Sequence, residues 1–132
     1  MNGLIVKGKW LELIFRGAKT WEIRGHNTKA RGTIALIKSG TGMVYGTVDI
    51  IDSIPVGYKE LSDNLQKHQI PYSMLFDIKY KHPHAWVLKN QEKFEKPIPY
   101  IHPPGAVIWV KLHNKALFSY KLKEGFSYDE IT

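Results

Sequence analysis

The feature that most limits the fold of this chain is the segment from Gly32 to Ile54. An apolar run of strand length, Ile34-Ala35-Leu36-Ile37, is followed by a turn marked by Gly40 and Gly42. The stretch Met43 to Ile54 then alternates, with Val44, Val48 and Ile50 on one side and Tyr45, Thr47 and Asp49 on the other. Two strand patterns around a glycine turn read as a β-hairpin, and a lone hairpin needs further strands or a helix to become stable. The rest of the chain offers them. Gly3 to Val6 reads as an entering strand, and Lys19 to Arg24 and His84 to Lys89 as further strands, with Gln91 to Lys96 continuing the last or looping out. In Ala106 to Leu112, Ala106, Ile108, Val110 and Leu112 share one face. Lys9 to Arg16 reads as a helix with Trp10, Leu13 and Ile14 on one side, ended by Gly17. Tyr58 to His68 reads as a second helix, with Leu61 and Leu65 one turn apart and Pro71 beyond its end. Pro97 to Gly105 holds four prolines and reads as extended connection. Beyond it, Phe118, Tyr120 and Leu122 alternate, as one more outer strand would. About six short strands and two helices predict an α+β domain, a small closed or half-closed β-barrel with helices covering it.

With 132 residues the chain suits one domain, and 43% hydrophobic residues are enough to give it a core. Cysteine is absent, which excludes a disulfide framework, a thiolate metal site and a cysteine nucleophile. No stretch approaches the ~20 apolar residues of a membrane span, and Met1 to Lys9 lacks the apolar centre of a secretory leader. A cytoplasmic protein is expected. The net charge is +7, and it is uneven. Residues 1–38 carry eight bases against two acids, whereas the remainder carries eleven against ten. A basic field on one part of a small domain favours polyanionic partners. The same lysines would also serve a solvated surface.

The densest chemistry lies in Gly17-Ala18-Lys19-Thr20-Trp21-Glu22-Ile23-Arg24. Strand alternation places Trp21 and Ile23 in the core, with Glu22 and Arg24 towards a cleft. Lys19 precedes the alternation, at the turn after the helix, and can swing to the Glu22 side. Lys38 and Ser39 are expected to join Lys19 and Arg24 in one basic pocket. A Lys–Glu–Arg trio suits recognition of a base edge and a phosphate, since the acid accepts from an amino group and the guanidinium forks onto oxygen. It also suits hydrolysis, if a partly dry basic cleft lowers the lysine pKa. A solvated ion pair on an edge strand would show the same residues. Trp86, Tyr45, Tyr72, Tyr80 and Tyr100 are candidates to stack on a base. Trp86 is favoured because it follows His82-Pro83-His84, with His84 on the same strand face as a possible donor. These histidines and His102 lack carboxylate or thiolate companions at ligand spacing, so no metal is expected, and no cofactor.

GAKTWEIR resembles the G-x-K-T-x-E-x-R signature of the ASCH family, a branch of the PUA-like RNA-binding folds. Its place between the first helix and the hairpin, the strand Ala85 to Leu88 and the closing run AVIWVKL are also family-like. The resemblance implies a PUA-like β-barrel over residues 1–112, with 113–132 as a C-terminal extension. It implies a cleft beside the first helix, lined by Lys19, Glu22 and Arg24, whose ligand is RNA or a nucleoside. Some small relatives are amidohydrolases that remove the acetyl group of N4-acetylcytidine with a Lys, a Thr and a Glu. Lys19 matches that Lys, and Glu22 stands where the Thr would be. The acids of the second helix are Glu60 and Asp63. Three readings follow: an RNA- or nucleoside-binding module, a small hydrolase using Lys19 and Glu22 on a modified nucleoside or on RNA, and a protein-interaction or regulatory domain. The sequence leaves the oligomeric state open.

Overall fold

The computed structural model describes residues 1–112; the alternating Phe118–Leu122 segment lies outside the described residues. Six strands form one curled half-barrel sheet: β1 (Asn2–Val6), β2 (Trp21–Arg24), β3 (Gly32–Lys38), β4 (Met43–Pro55), β5 (His84–Pro99) and β6 (Trp109–Lys111). Their order across the sheet is β2-β5-β4-β3-β1-β6. The hairpin β3–β4 is its centre, pairing Ile34 with Val48 and Leu36 with Gly46. β1 lies parallel to β3, which requires a crossover, and the helix α1 (Gly8–Phe15) begins it.

The continuous apolar run in β3 reflects burial on both faces. Leu36 packs with Leu4, Leu11, Ile14, Val48 and Trp86 under α1, while Ala35 and Ile37 pack with Val44, Phe94 and Ile98 on the other side. A third cluster sets Trp21, Ile23 and Ala85 against Leu61 and Leu75. It covers the sheet with two short helices, α2 (Tyr58–Asp63) and α3 (Leu65–His68), and a 3₁₀ turn at Tyr72–Asp77. The single helix expected over Tyr58–His68 is therefore broken. Asn64 adopts φ −130° and its side-chain amide donates to the Glu60 carbonyl at 2.7 Å. That bond competes with the backbone ladder, as Asn side chains do.

β5 continues through Gln91 to Lys96, one of the two alternatives for that stretch, and on through Pro97 and Pro99. It pairs with β2 only as far as Val87, so beyond that point a missing N–H costs the ladder little. At its closest approach to β4 a Cβ on Gly46 would run into the Glu92 carbonyl and lie 2.7 Å from the Phe15 ring. Only three residues of Ala106–Leu112 pair as strand, although Val110 and Leu112 are buried as that alternation requires. Among the described residues no helix is long and apolar enough to cross a membrane.

Candidate functional site

The site grows from the end of α1. Gly17, at φ 76°, supplies the left-handed residue that stops the helix, and the Ala18 and Lys19 N–H groups fold back onto the Leu13 carbonyl. Lys19 thus sits in the turn before β2, free of strand alternation. The residue is only 2% exposed. The ammonium donates to the His68 carbonyl at 2.6 Å, lies 3.7 Å from Glu22 Oε1, and sits 4.7 Å from the centre of the Trp10 ring. On the far side of the carboxylate, Arg24 Nη2 donates to Glu22 Oε2 at 2.9 Å and to the Ile5 carbonyl at 2.9 Å. Each oxygen of Glu22 therefore faces a different cation.

Burial pushes the Lys19 pKa down to about 8; Glu22 opposes that shift by stabilising the ammonium, and Arg24 adds to it. His68, which holds Lys19 through its carbonyl, is itself fully buried. Its Nδ1 accepts the Ile70 N–H at 2.9 Å, so Nε2 carries the proton and donates to the Leu61 carbonyl at 2.7 Å. Burial lowers the ring's pKa, the Leu61 bond works the other way, and Lys19 lowers it further.

Two cavities meet at this trio. One, of about 270 Å³, is lined by Arg24, Ser39, Ile5 and Val107. The other, of about 410 Å³, is lined by Lys9, Lys19, Met74, Asp77 and Lys79. Lys7, Trp10, Glu22, Ile23 and Tyr80 border both, which makes them two lobes of one cleft. Five cations and two carboxylates line it, an excess of three positive charges. Tyr80 is half exposed, and its ring rests on the backbone of Gly25, where a Cβ would lie 2.7 Å from the ring.

The structure thus brings Lys19, Glu22, Arg24 and Ser39 to one cleft. Lys38 belongs elsewhere: the Val6–Lys38 pairing of β1 and β3 sends it to the opposite side of α1, 5.5 Å from the Tyr45 ring and in a cavity with Phe15, Arg16 and Lys93. Trp86 is also corrected. It is wholly buried, stacked on Trp109 with ring centres 5.7 Å apart, and its Nε1–H donates to the His26 carbonyl at 3.0 Å. The strand pairing that puts it opposite Glu22 seals it beneath the ion pair, with the Arg24 guanidinium 5.6 Å from its ring, and leaves no face for a base. His84 pairs with Arg24 across β2 and β5 and donates from Nδ1 to the His82 carbonyl, outside both lobes. Glu60 caps the Gly57 N–H and Asp63 binds Lys59, so neither acid of α2 reaches the cleft. Lys7, Lys9, Trp10, Asp77 and Lys79 were not singled out by sequence. The run Lys79-Tyr80-Lys81, a basic stretch around an aromatic residue, was the one signal for part of this wall.

Comparison with known proteins identifies the family and agrees with the fold. The profile of the ASCH domain family matches residues 4–98. The crystal structure of ASCH from Zymomonas mobilis superposes with a TM-score of 0.70 at 15% identity, covering 96% of this chain and 95% of that one. Two single-substitution variants of the Zymomonas mobilis protein, one changed at a serine and one at a tyrosine, give the same score at 16% identity. They cover 96% of this chain and 96% and 98% of theirs. No curated protein sequence matches significantly.

Proposed function

The chain belongs to the ASCH domain family, and on that premise we propose that it binds RNA or a nucleoside in the cleft around Lys19, Glu22 and Arg24. The observation that carries this reading is the convergence of five cations and two aromatic rims, Trp10 and Tyr80, on one cleft. Cations attract the phosphate backbone, and an accessible ring offers a stacking surface to any base. Arg24 Nη1 has no acceptor among the described residues, so one edge of the guanidinium is available to a phosphate or a base carbonyl. The test is binding of short RNAs at two salt concentrations, with Trp10→Ala and Tyr80→Ala beside the wild type. Affinity that falls with salt and falls again in either variant supports the reading. Salt-independent affinity, or capture of a protein partner with no RNA binding, favours an interaction domain.

A second reading has its own support. With a pKa of about 8, roughly a tenth of Lys19 is a free amine at neutral pH, buried yet on the cavity wall. Such an amine can serve as base or nucleophile in amide hydrolysis. Both Glu22 oxygens are held by cations, which leaves Asp77 as the other acid on that wall. Release of acetate from N4-acetylcytidine, lost in Lys19→Met, would support this reading; no turnover by the wild type would remove it.

A further inference from the structure

We infer that the ligand is a strand of at least two nucleotides, lying across Glu22 from one lobe to the other, rather than a free nucleoside; this rests on the nucleic-acid reading of the cleft. The lobes are not one round pocket. Each is comparable with the lower range of small-ligand sites, ~300 Å³ upwards, at about 270 and 410 Å³. Glu22 and Ile23 border both lobes, and so do Trp10 and Tyr80. Each lobe also has its own polar equipment. Arg24 and Ser39 line only the smaller one, whereas Lys9, Lys19, Asp77 and Lys79 line only the larger.

Charge makes the distinction between ligands. A nucleoside is neutral and draws nothing from the positive excess of the cleft, whereas a strand places one phosphate between each pair of bases. Lys7 is the one cation that borders both lobes. It is exposed, and among the described residues it has no ion-pair partner. A phosphate linking two bases, one in each lobe, meets Lys7 at the junction. Tyr80 at the same junction presents a ring whose position is set by Gly25.

The experiment compares cytidine, cytidine monophosphate and the dinucleoside monophosphate CpC, each titrated into the wild-type protein and Lys7→Ala at low salt. CpC is expected to bind about tenfold more tightly than cytidine or cytidine monophosphate, at the low end of what one stacked base contributes. Lys7→Ala is expected to narrow the advantage of CpC over cytidine, both measured on the variant, from about tenfold to about threefold, because the linking phosphate loses its cation. Because the Lys7 side chain is exposed and unpaired, the variant keeps its fold, and its melting temperature checks this. Equal affinity for cytidine and CpC overturns the two-lobe inference while the nucleoside-binding reading stands. Binding of none of the three overturns both.

Discussion

Lys19 and Glu22 stand three residues apart in the chain and 3.7 Å apart in space, with side chains 1% and 6% exposed. A buried ammonium is costly unless it is paired and hydrogen-bonded, and here it has both a carboxylate and the His68 carbonyl. The Lys19 pKa of about 8 measures how incompletely they compensate. NMR titration of the lysine side chains should find one midpoint near 8. In Glu22→Gln it should fall further, since the opposing charge is gone.

That shift makes stability depend on pH. The folded-state pKa lies below the ordinary value of 10.5, so between about pH 8 and 10.5 the unfolded chain binds more protons at this lysine. The Lys19 contribution to stability therefore rises with pH across that window, by roughly 3 kcal/mol in all. Urea unfolding from pH 8 to 10 should show this rise in the wild type and its loss in Lys19→Met.

His68 gives the opposite flank. Its pKa is lowered, so the neutral ring contributes stability that is complete above the ordinary value of 6.5 and is lost as pH falls below it. Protonation also puts a second donor against the Ile70 N–H. His68→Asn retains an acceptor and cannot titrate, and it should flatten the acid side of the melting-temperature profile between pH 7 and 5. An unchanged profile would show that other groups govern the acid transition.

Glu22 holds two cations, and removing it leaves both underpaired. Glu22→Ala should destabilise by about 3 kcal/mol, in the range found for breaking buried ion pairs, as read by chemical denaturation. Arg24 also ties β1 to β2 through the Ile5 carbonyl. Arg24→Lys should therefore cost about 1 kcal/mol of stability in addition to any affinity.

Trp86 separates packing from binding. Trp86→Phe gives up the hydrogen bond to His26 and part of the stack on Trp109, and should lower stability by about 2 kcal/mol. RNA affinity per folded molecule should change less than twofold. A large loss of affinity with unchanged melting would return Trp86 to the cleft.

The hairpin was legible because alternation and a glycine turn are local signals, and Trp21 and Ile23 followed from the same periodicity. The sharp turn at Gly17 also let Lys19 be read as free to reach Glu22. The remaining parts of the cleft depend on long-range pairing. Nothing near Lys38 reveals that the parallel pairing of β1 with β3 turns it away from Arg24. Nothing near Trp86 reveals that Trp109, from β6, closes over it. Trp10 was read as a packing residue of α1 because helical spacing does not distinguish a core face from a cleft rim. Lys79 and Tyr80 reach the site only because the segment after the broken second helix folds back beside α1.

The most direct test of the account is the salt dependence of single-stranded RNA binding by the wild type and by Lys7→Ala/Lys9→Ala. Both lysines are exposed and outside every ion pair among the described residues; the Lys9 ammonium lies 4.5 Å from the centre of the Trp10 ring, so the melting temperature of the variant is measured alongside. If both meet phosphates, the slope of log K against log salt should become shallower by about 1.4, at ~0.7 for each single-strand phosphate contact. An unchanged slope with unchanged affinity would contradict the assignment of this cleft as the RNA site.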